Sequence, residues 1–132
     1  MRKSGILNQP LLNAMGSLGH GDLLVVSDAG LPIPLSVHRI DLTVVKNLPR
    51  FFDVLAPIMA ELILEKVVIA TEMEQVSPAA AARVRELAGS VPVELVSHAD
   101  FKELTHSAKA VVRTGEFTPY SNVILVSGVD FS

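Results

Sequence analysis

His20 stands between Gly19 and Gly21, just ahead of the apolar run LLVVS (Leu23 to Ser27), and Asp28 stands at the far end of that run. An imidazole titrates near neutral pH and can give or take a proton. A glycine on each side leaves the ring uncrowded and the backbone free to turn. The same local pattern also suits a helix-terminal histidine that meets free carbonyls. A carboxylate at a strand end can accept hydrogen bonds from hydroxyl groups, or it can close the strand through an Asx-turn. His98 follows Ser97 at a helix start, where the helix N-terminus disfavours a charged ring and leaves an imidazole that both donates and accepts. Taken alone, it reads as a surface residue. Tyr120, Ser121 and Asn122 follow Pro119 at a strand start and offer two hydroxyls and an amide. That set suits a sugar, and it also suits an ordinary turn. Arg113 and Glu116 flank the same loop and are expected to pair with each other.

Several other chemistries find no support. The four histidines, His20, His38, His98 and His106, form neither H-x-H nor H-E-x-x-H. On one helix His98 and His106 lie roughly 12 Å apart along the axis, too far for one metal ion. No metal site is expected. His106 reads as an exposed helix residue and His38 as an outward strand residue. The chain has no cysteine, which excludes disulfides and thiolate chemistry and allows a cytoplasmic location. There is no G-x-x-x-x-G-K-[ST], no G-x-G-x-x-G after a strand and no G-x-S-x-G, so neither a nucleotide-binding regulator nor an α/β-hydrolase is favoured. Eleven basic against fourteen acidic residues give a net charge of −3, with no basic cluster and 5% aromatics. No nucleic-acid partner is expected from that balance. The greasiest stretch, FFDVLAPIMAELIL, is interrupted by Asp53, Pro57 and Glu61, and no membrane partner is expected. The start, MRKSGILNQP, has no apolar segment of signal-peptide length. Hydrophobic residues make up 49% of the chain and mean hydropathy is +0.44. That is high for a small soluble protein and points to burial between subunits, hence a homo-oligomer.

The elements that must hold these groups follow from periodicity and punctuation. At 132 residues the chain reads as a single domain, 1–132. Asn8 caps a helix that begins near Pro10 and stops at Gly19. Strands are expected at 23–27, 37–44, 66–71, 93–97, 109–114 and 122–128. A helix from Pro49 to about Leu64 has Pro57 inside it, which predicts a kink or a late start. Ser77-Pro78 opens another helix that Gly89 ends, and Ser97 to Asp100 has the form of a capping box. Apolar strands separated by helices imply an α/β fold of three layers, with a mostly parallel central sheet of about six strands. The loop between the last two strands is too short for a helical crossover. Those strands therefore either pair antiparallel or lie apart in the sheet. Ligands in such folds gather at strand ends, which directs attention to the loops at 19–22, 28–34, 97–98 and 114–122. One difficulty is visible at once. The run between His20 and Asp28 spans about 20 Å when extended, so one chain cannot bring both ends to one pocket unless its loops fold over the strand. The alternative is a pocket completed by a neighbouring chain.

Taken together, GILN (5–8), LGHGD (18–22), SDAGLPIP (27–34), RIDL (39–42), SHADFK (97–102) and AVVRTGEFTPYSNVIL (110–125) resemble the ribose pyranase/fucose mutarotase family over nearly the whole chain. Gly30-Leu31-Pro32-Ile33-Pro34 and Ser97-His98 stand in the ribose-type form rather than the fucose-type one. The resemblance implies an isomerase that interconverts the β-pyranose and β-furanose forms of D-ribose without a cofactor. It implies His20 as the proton-transfer residue, with Asp28, His98, Tyr120, Ser121 and Asn122 lining the sugar site. It also implies a homo-oligomer of pentameric rings that can stack as a decamer. Two alternatives stay open: mutarotation of another monosaccharide such as L-fucose, and a sugar-binding module without catalysis.

Overall fold

The computed structural model describes residues 1–132. Its elements, in chain order, are α1 (Gln9–Gly16), β1 (Leu23–Ser27), β2 (His38–Asp41), α2 (Phe51–Glu61), β3 (Leu64–Ala70), α3 (Thr71–Val76), α4 (Pro78–Ala88), β4 (Val93–Val96), α5 (His98–Thr105), β5 (Ala110–Arg113) and β6 (Val123–Ser127). The six strands form one sheet in the order β2-β5-β1-β6-β3-β4. Five run parallel, and β6 runs antiparallel between β1 and β3. Of the two arrangements expected for the last two strands, the second is found: β5 and β6 do not pair but lie apart with β1 between them, and β6 runs antiparallel to its own neighbours β1 and β3.

Strand residues alternate between two cores, the period-two pattern of a sheet covered on both sides. Leu24, Val26, Val67, Ile69, Ala110, Val112, Val123 and Leu125 pack on one side with Phe51, Leu55 and Ile58 of α2, Met73 of α3 and Val84 of α4. Val25, Val68, Val111, Ile124 and Val126 face the other side, where Phe101 of α5 and Leu31 and Val37 of the β1–β2 loop cover them. Each fully buried aliphatic side chain contributes about 1.5–3 kcal/mol, so these few short strands are enough to fix the register.

Local chemistry sets the ends. The Asn8 side chain accepts from Leu11 N–H, and Ser97 accepts from Asp100 N–H, as the capping patterns predict. α2 starts at Phe51, later than Pro49, where the Asp53 carboxylate accepts the Arg50 N–H. Pro57 lies inside this helix on its exposed side. β2 is shorter than its apolar pattern suggests. It is an edge strand whose only partner is β5, and past Asp41 the chain turns as the Asp41 carboxylate accepts the Thr43 N–H. The helix α3 has no counterpart in the sequence reading. It is one short polar stretch, TEMEQV, that buries only Met73, so it carries no amphipathic signal.

The carboxyl ends of all five parallel strands, together with the start of the reversed β6, meet at one edge of the sheet. Asp28, Thr43, Thr71, Ser97 and Thr114 follow those ends, and Asn122 precedes β6. The loop 18–22 sits at the opposite edge, beside the end of β6 and the start of β3.

Candidate active site

A cavity of about 570 Å3 opens at that carboxyl edge, and Asp28, His98, Tyr120 and Asn122 all line it. The strand-end position of each follows from the topology: β1 delivers Asp28, β4 and the start of α5 deliver His98, and the reversed β6 returns the chain to present Tyr120 and Asn122.

Asp28 closes the turn after β1 and also ties β1 to β6. Its Oδ1 accepts the N–H groups of Gly30 (3.0 Å) and Leu31 (2.8 Å), which closes the turn after β1. Its Oδ2 accepts the Asn122 amide at 3.2 Å, while Asn122 Oδ1 accepts the Asp28 backbone N–H at 2.8 Å. This reciprocal pair locks the ends of β1 and β6 together and fixes which carboxylate oxygen has acceptor capacity left. Burial pushes the Asp28 carboxyl above its ordinary range, and the two turn N–H groups, the Asn122 amide and the nearby His98 offset only part of that.

His98 is held from behind. Its backbone N–H donates to both carboxylate oxygens of Glu72, each at 3.1 Å. Its ring meets Tyr120 edge-on, with centroids 5.0 Å apart and planes at 83°, and stacks on Phe101 at 6.4 Å. Nδ1 of this ring is buried and has no hydrogen-bond partner in the chain. Leaving such an atom unsatisfied costs about 1–3 kcal/mol, a cost that a ligand hydroxyl would remove.

Tyr120 adopts φ +61°, the left-handed region that a bulky residue seldom enters. Such a residue stores on the order of 1–3 kcal/mol and persists where its surroundings hold it. Here Asn122 N–H donates to the Tyr120 carbonyl at 2.9 Å, and the Ser77 hydroxyl donates to the Pro119 carbonyl at 2.9 Å. Ser121 is 1% exposed and is not among the residues that line the cavity.

The cavity wall contains a charged clamp that local patterning misassigned. Arg113 and Glu116 do not pair. Arg113 ends β5 directly beside Asp41 at the end of β2, and its Nη1 donates to Asp41 Oδ2 at 3.0 Å while its Nε donates to the Ala29 carbonyl at 3.0 Å. Glu116 turns the other way, to the start of α2. Its carboxylate receives Arg50 Nη2 (2.7 Å) and Nε (3.2 Å), Phe51 N–H (3.1 Å) and the Thr118 hydroxyl (2.9 Å). Burial alone would raise its pKa, but these donors, Arg50 foremost, bring it down to about 2. Glu116 is therefore a fixed anion that pins the 114–122 loop to α2. Thr43, Lys46 and Phe117 complete this wall, with Lys46 Nζ 5.2 Å from the Phe117 ring centre. Neither the clamp nor Glu72 carries a recognisable motif. Their partners lie 66 and 26 positions away, and only the sheet order brings them together.

His20 is not in this cavity. It lies on the opposite edge of the sheet with its side chain 66% exposed, and its Nε2 is 2.8 Å from Glu65 Oε2. Gly21 takes φ +80°, a value that favours glycine, and its N–H donates to the Ser127 carbonyl at 2.8 Å. The loop is thus tied to the end of β6, far from where β6 starts. His38 and His106 are both exposed. No group of three or more His, Asp or Glu side chains is placed to hold a metal ion. No helix is long and apolar enough to cross a membrane.

Fold and cavity together define a three-layer α/β protein with a cavity lined by Asp28, His98, Tyr120 and Asn122 at the carboxyl edge of its sheet. The chain belongs to the RbsD / FucU transport protein family, whose model matches residues 1–130. It is 48% identical over 132 residues to the D-ribose pyranase of Geobacillus thermodenitrificans, covering 100% of both chains. It also superposes on a solved structure of Bacillus subtilis RbsD complexed with D-ribose, with a TM-score of 0.95, 46% identity, and coverage of 99% of this chain and 100% of that one. The fucose mutarotase of Streptococcus pneumoniae, solved with L-fucose, shares the fold at a TM-score of 0.72 and 23% identity, with 94% of each chain covered.

Proposed function

We propose that this protein is an isomerase that interconverts the β-pyranose and β-furanose forms of D-ribose and supplies ribose for catabolism in the cytoplasm. The observation that carries this reading is the convergence of Asp28, Asn122, Tyr120 and the partnerless Nδ1 of His98 on one cavity, in a chain so similar to a protein solved with D-ribose. Asp28 Oδ2 accepts a sugar hydroxyl, His98 Nδ1 and the Tyr120 hydroxyl meet others, and the Asp28–Asn122 pair keeps these groups in place while the carbons turn.

Ring opening delivers a proton to the ring oxygen as the anomeric hydroxyl gives one up, which leaves an open-chain aldehyde. The chain then rotates, O4 adds to the aldehyde carbon in place of O5, and the hydroxyl proton of O4 is passed on as the carbonyl oxygen becomes the new anomeric hydroxyl. Protons and electrons balance with no oxidant, metal or cofactor. His20 is the proton carrier. Because it lies on the other edge of its own sheet, the His20 that serves a given cavity comes from a neighbouring copy. That requirement supports a homo-oligomer, built as pentameric rings that can stack into a decamer, with each site at a subunit boundary.

Exchange NMR tests the reaction on a panel of sugars. With D-ribose, pyranose–furanose exchange is expected to be faster in the presence of the protein than in buffer, and L-fucose exchange is expected to be much less affected. Acceleration of L-fucose alone would transfer the activity to another sugar. Binding of D-ribose without acceleration would reduce the protein to a sugar-binding module.

A further inference from the structure

β3 carries an irregularity next to His20. In its pairing with β6, Leu64 faces Ser127 and Lys66 already faces Val126, so Glu65 is an extra residue bulged out of the ladder. A bulge of this kind re-aims a side chain, and such bulges occur preferentially beside active sites. The neighbouring backbone fits it closely. Gly128 N–H donates to the Ile63 carbonyl at 2.8 Å, and a Cβ on Gly128 would come within 3.4 Å of the Glu65 backbone nitrogen. The same strand end holds the histidine loop, because Ser127 accepts from Gly21 N–H and donates to the Asp22 carbonyl at 2.9 Å. Ser127 is thus bonded to the histidine loop and paired with Leu64 just before Glu65, and the Glu65 and His20 side chains meet at 2.8 Å.

This contact contributes little to folding. The two side chains are 66% and 42% exposed, and ion pairs so open to water are worth about 0–1 kcal/mol. Its consequence is geometric. A carboxylate that accepts a ring N–H fixes the tautomer and the orientation of an imidazole. Here the bond uses Nε2 and leaves Nδ1 as the free nitrogen.

We infer that Glu65, placed by the β3 bulge, is a positioning residue that holds the Nε2–H tautomer of His20 and presents Nδ1 as the nitrogen that exchanges protons with the sugar. This rests on the reading of His20 as the proton carrier. During turnover Nδ1 takes the proton that leaves one sugar oxygen and returns it to the other, while Nε2–H stays bonded to Glu65. Glu65 itself touches no sugar.

The test uses the full protein with 15N-labelled histidine, the His20 signals being those lost in His20→Ala. In the native protein the neutral His20 ring is expected to show a protonated Nε2 and an unprotonated Nδ1. In Glu65→Ala the two nitrogens are expected to move toward the averaged values of a tautomer mixture. The kcat for ribose exchange is expected to fall about tenfold with KM changed by less than about twofold. Lys66→Ala removes the neighbouring Lys66–Glu94 ion pair on the same strand and is expected to leave both readouts unchanged. An unchanged tautomer in Glu65→Ala, an unchanged kcat, or an equal loss in Lys66→Ala overturns the inference. Full activity in His20→Ala would instead remove the proton-carrier role on which it rests, a failure that the tautomer measurement reads separately.

Discussion

His20→Ala is expected to lower the catalysed rate of ribose ring exchange by about 10²–10⁴-fold, the usual contribution of one positioned acid–base group. His98 also lines the cavity, but its ring is held against Tyr120 and Phe101 and its role is to bind a sugar hydroxyl, so the rate it sustains alone is expected to be the small residual one. The substitution should leave the fold as it is, because the ring is 66% exposed and its one bond is to Glu65. Ribose affinity should change less than the rate, since Asp28, His98, Tyr120 and Asn122 are left in place. Exchange NMR for the rate, calorimetry for ribose binding and a thermal melt for the fold check these three parts. A variant with full exchange activity would remove His20 from the mechanism. A variant that had lost ribose binding would place the ring's duty in recognition instead.

Gly115→Ala is expected to damage the cavity from behind. A Cβ on Gly115 would lie 2.5 Å from the Leu48 carbonyl oxygen and 2.8 Å from both its carbonyl carbon and its nitrogen. All three are backbone atoms and cannot swing aside as a side chain would. The same residue stitches two segments together: its N–H donates to the Pro49 carbonyl at 2.8 Å, and its carbonyl accepts from Asn47 N–H at 2.7 Å. Relieving the clash must part segment 43–49 from segment 114–118. Thr43 and Lys46 then move away from Phe117, and the Arg50–Glu116 clamp is strained. Overpacking of this kind costs about 1–3 kcal/mol, occasionally more, and in a 132-residue chain each kcal/mol lowers Tm by roughly 3–5 °C. KM for ribose is expected to rise about tenfold or more as Tyr120 and Asn122 lose their support. Gly16→Ala is the control, because a Cβ there meets nothing within 4 Å. Equal melting temperatures and KM values for the two variants would show that close approach at Gly115 carries no weight.

The strands were legible in the sequence because runs such as LLVVS and NVILVSG are short, apolar and bounded by turn residues, and a sheet buried on both faces needs them so. Loop length excluded a parallel pairing of β5 with β6, but it left their placement open, and only the folded sheet sets β6 between β1 and β3. The helix α3 was not, since a stretch that buries a single methionine leaves no periodic trace. Among the candidate residues, those at strand ends were open to inference from position, and Asp28 turned out to close a turn with one oxygen and hold Asn122 with the other. The Arg50–Glu116 clamp and the Glu72 support of His98 were hidden because pairing across 66 and 26 positions is decided by strand order. The apparent Arg113–Glu116 pair failed for the same reason: the registered neighbour of Arg113 is Asp41 on β2. His20 and Asp28 are a case where simple strand arithmetic sufficed. A strand's two ends lie at opposite edges of the sheet, and the folded chain keeps them there.

Mixing two inactive variants tests directly the proposal that each site is shared between subunits. His20→Ala keeps an intact cavity and Asp28→Ala keeps an intact proton carrier. Co-expressed in equal amounts and assembled at random, they should recover about a quarter of native ribose exchange, because that share of boundaries joins an intact Asp28 to an intact His20 on the neighbouring copy. Each variant alone should stay near the buffer rate. Mixed assemblies that form but remain as inactive as the separate variants would contradict the account, and would place His20 and Asp28 of each site on one chain.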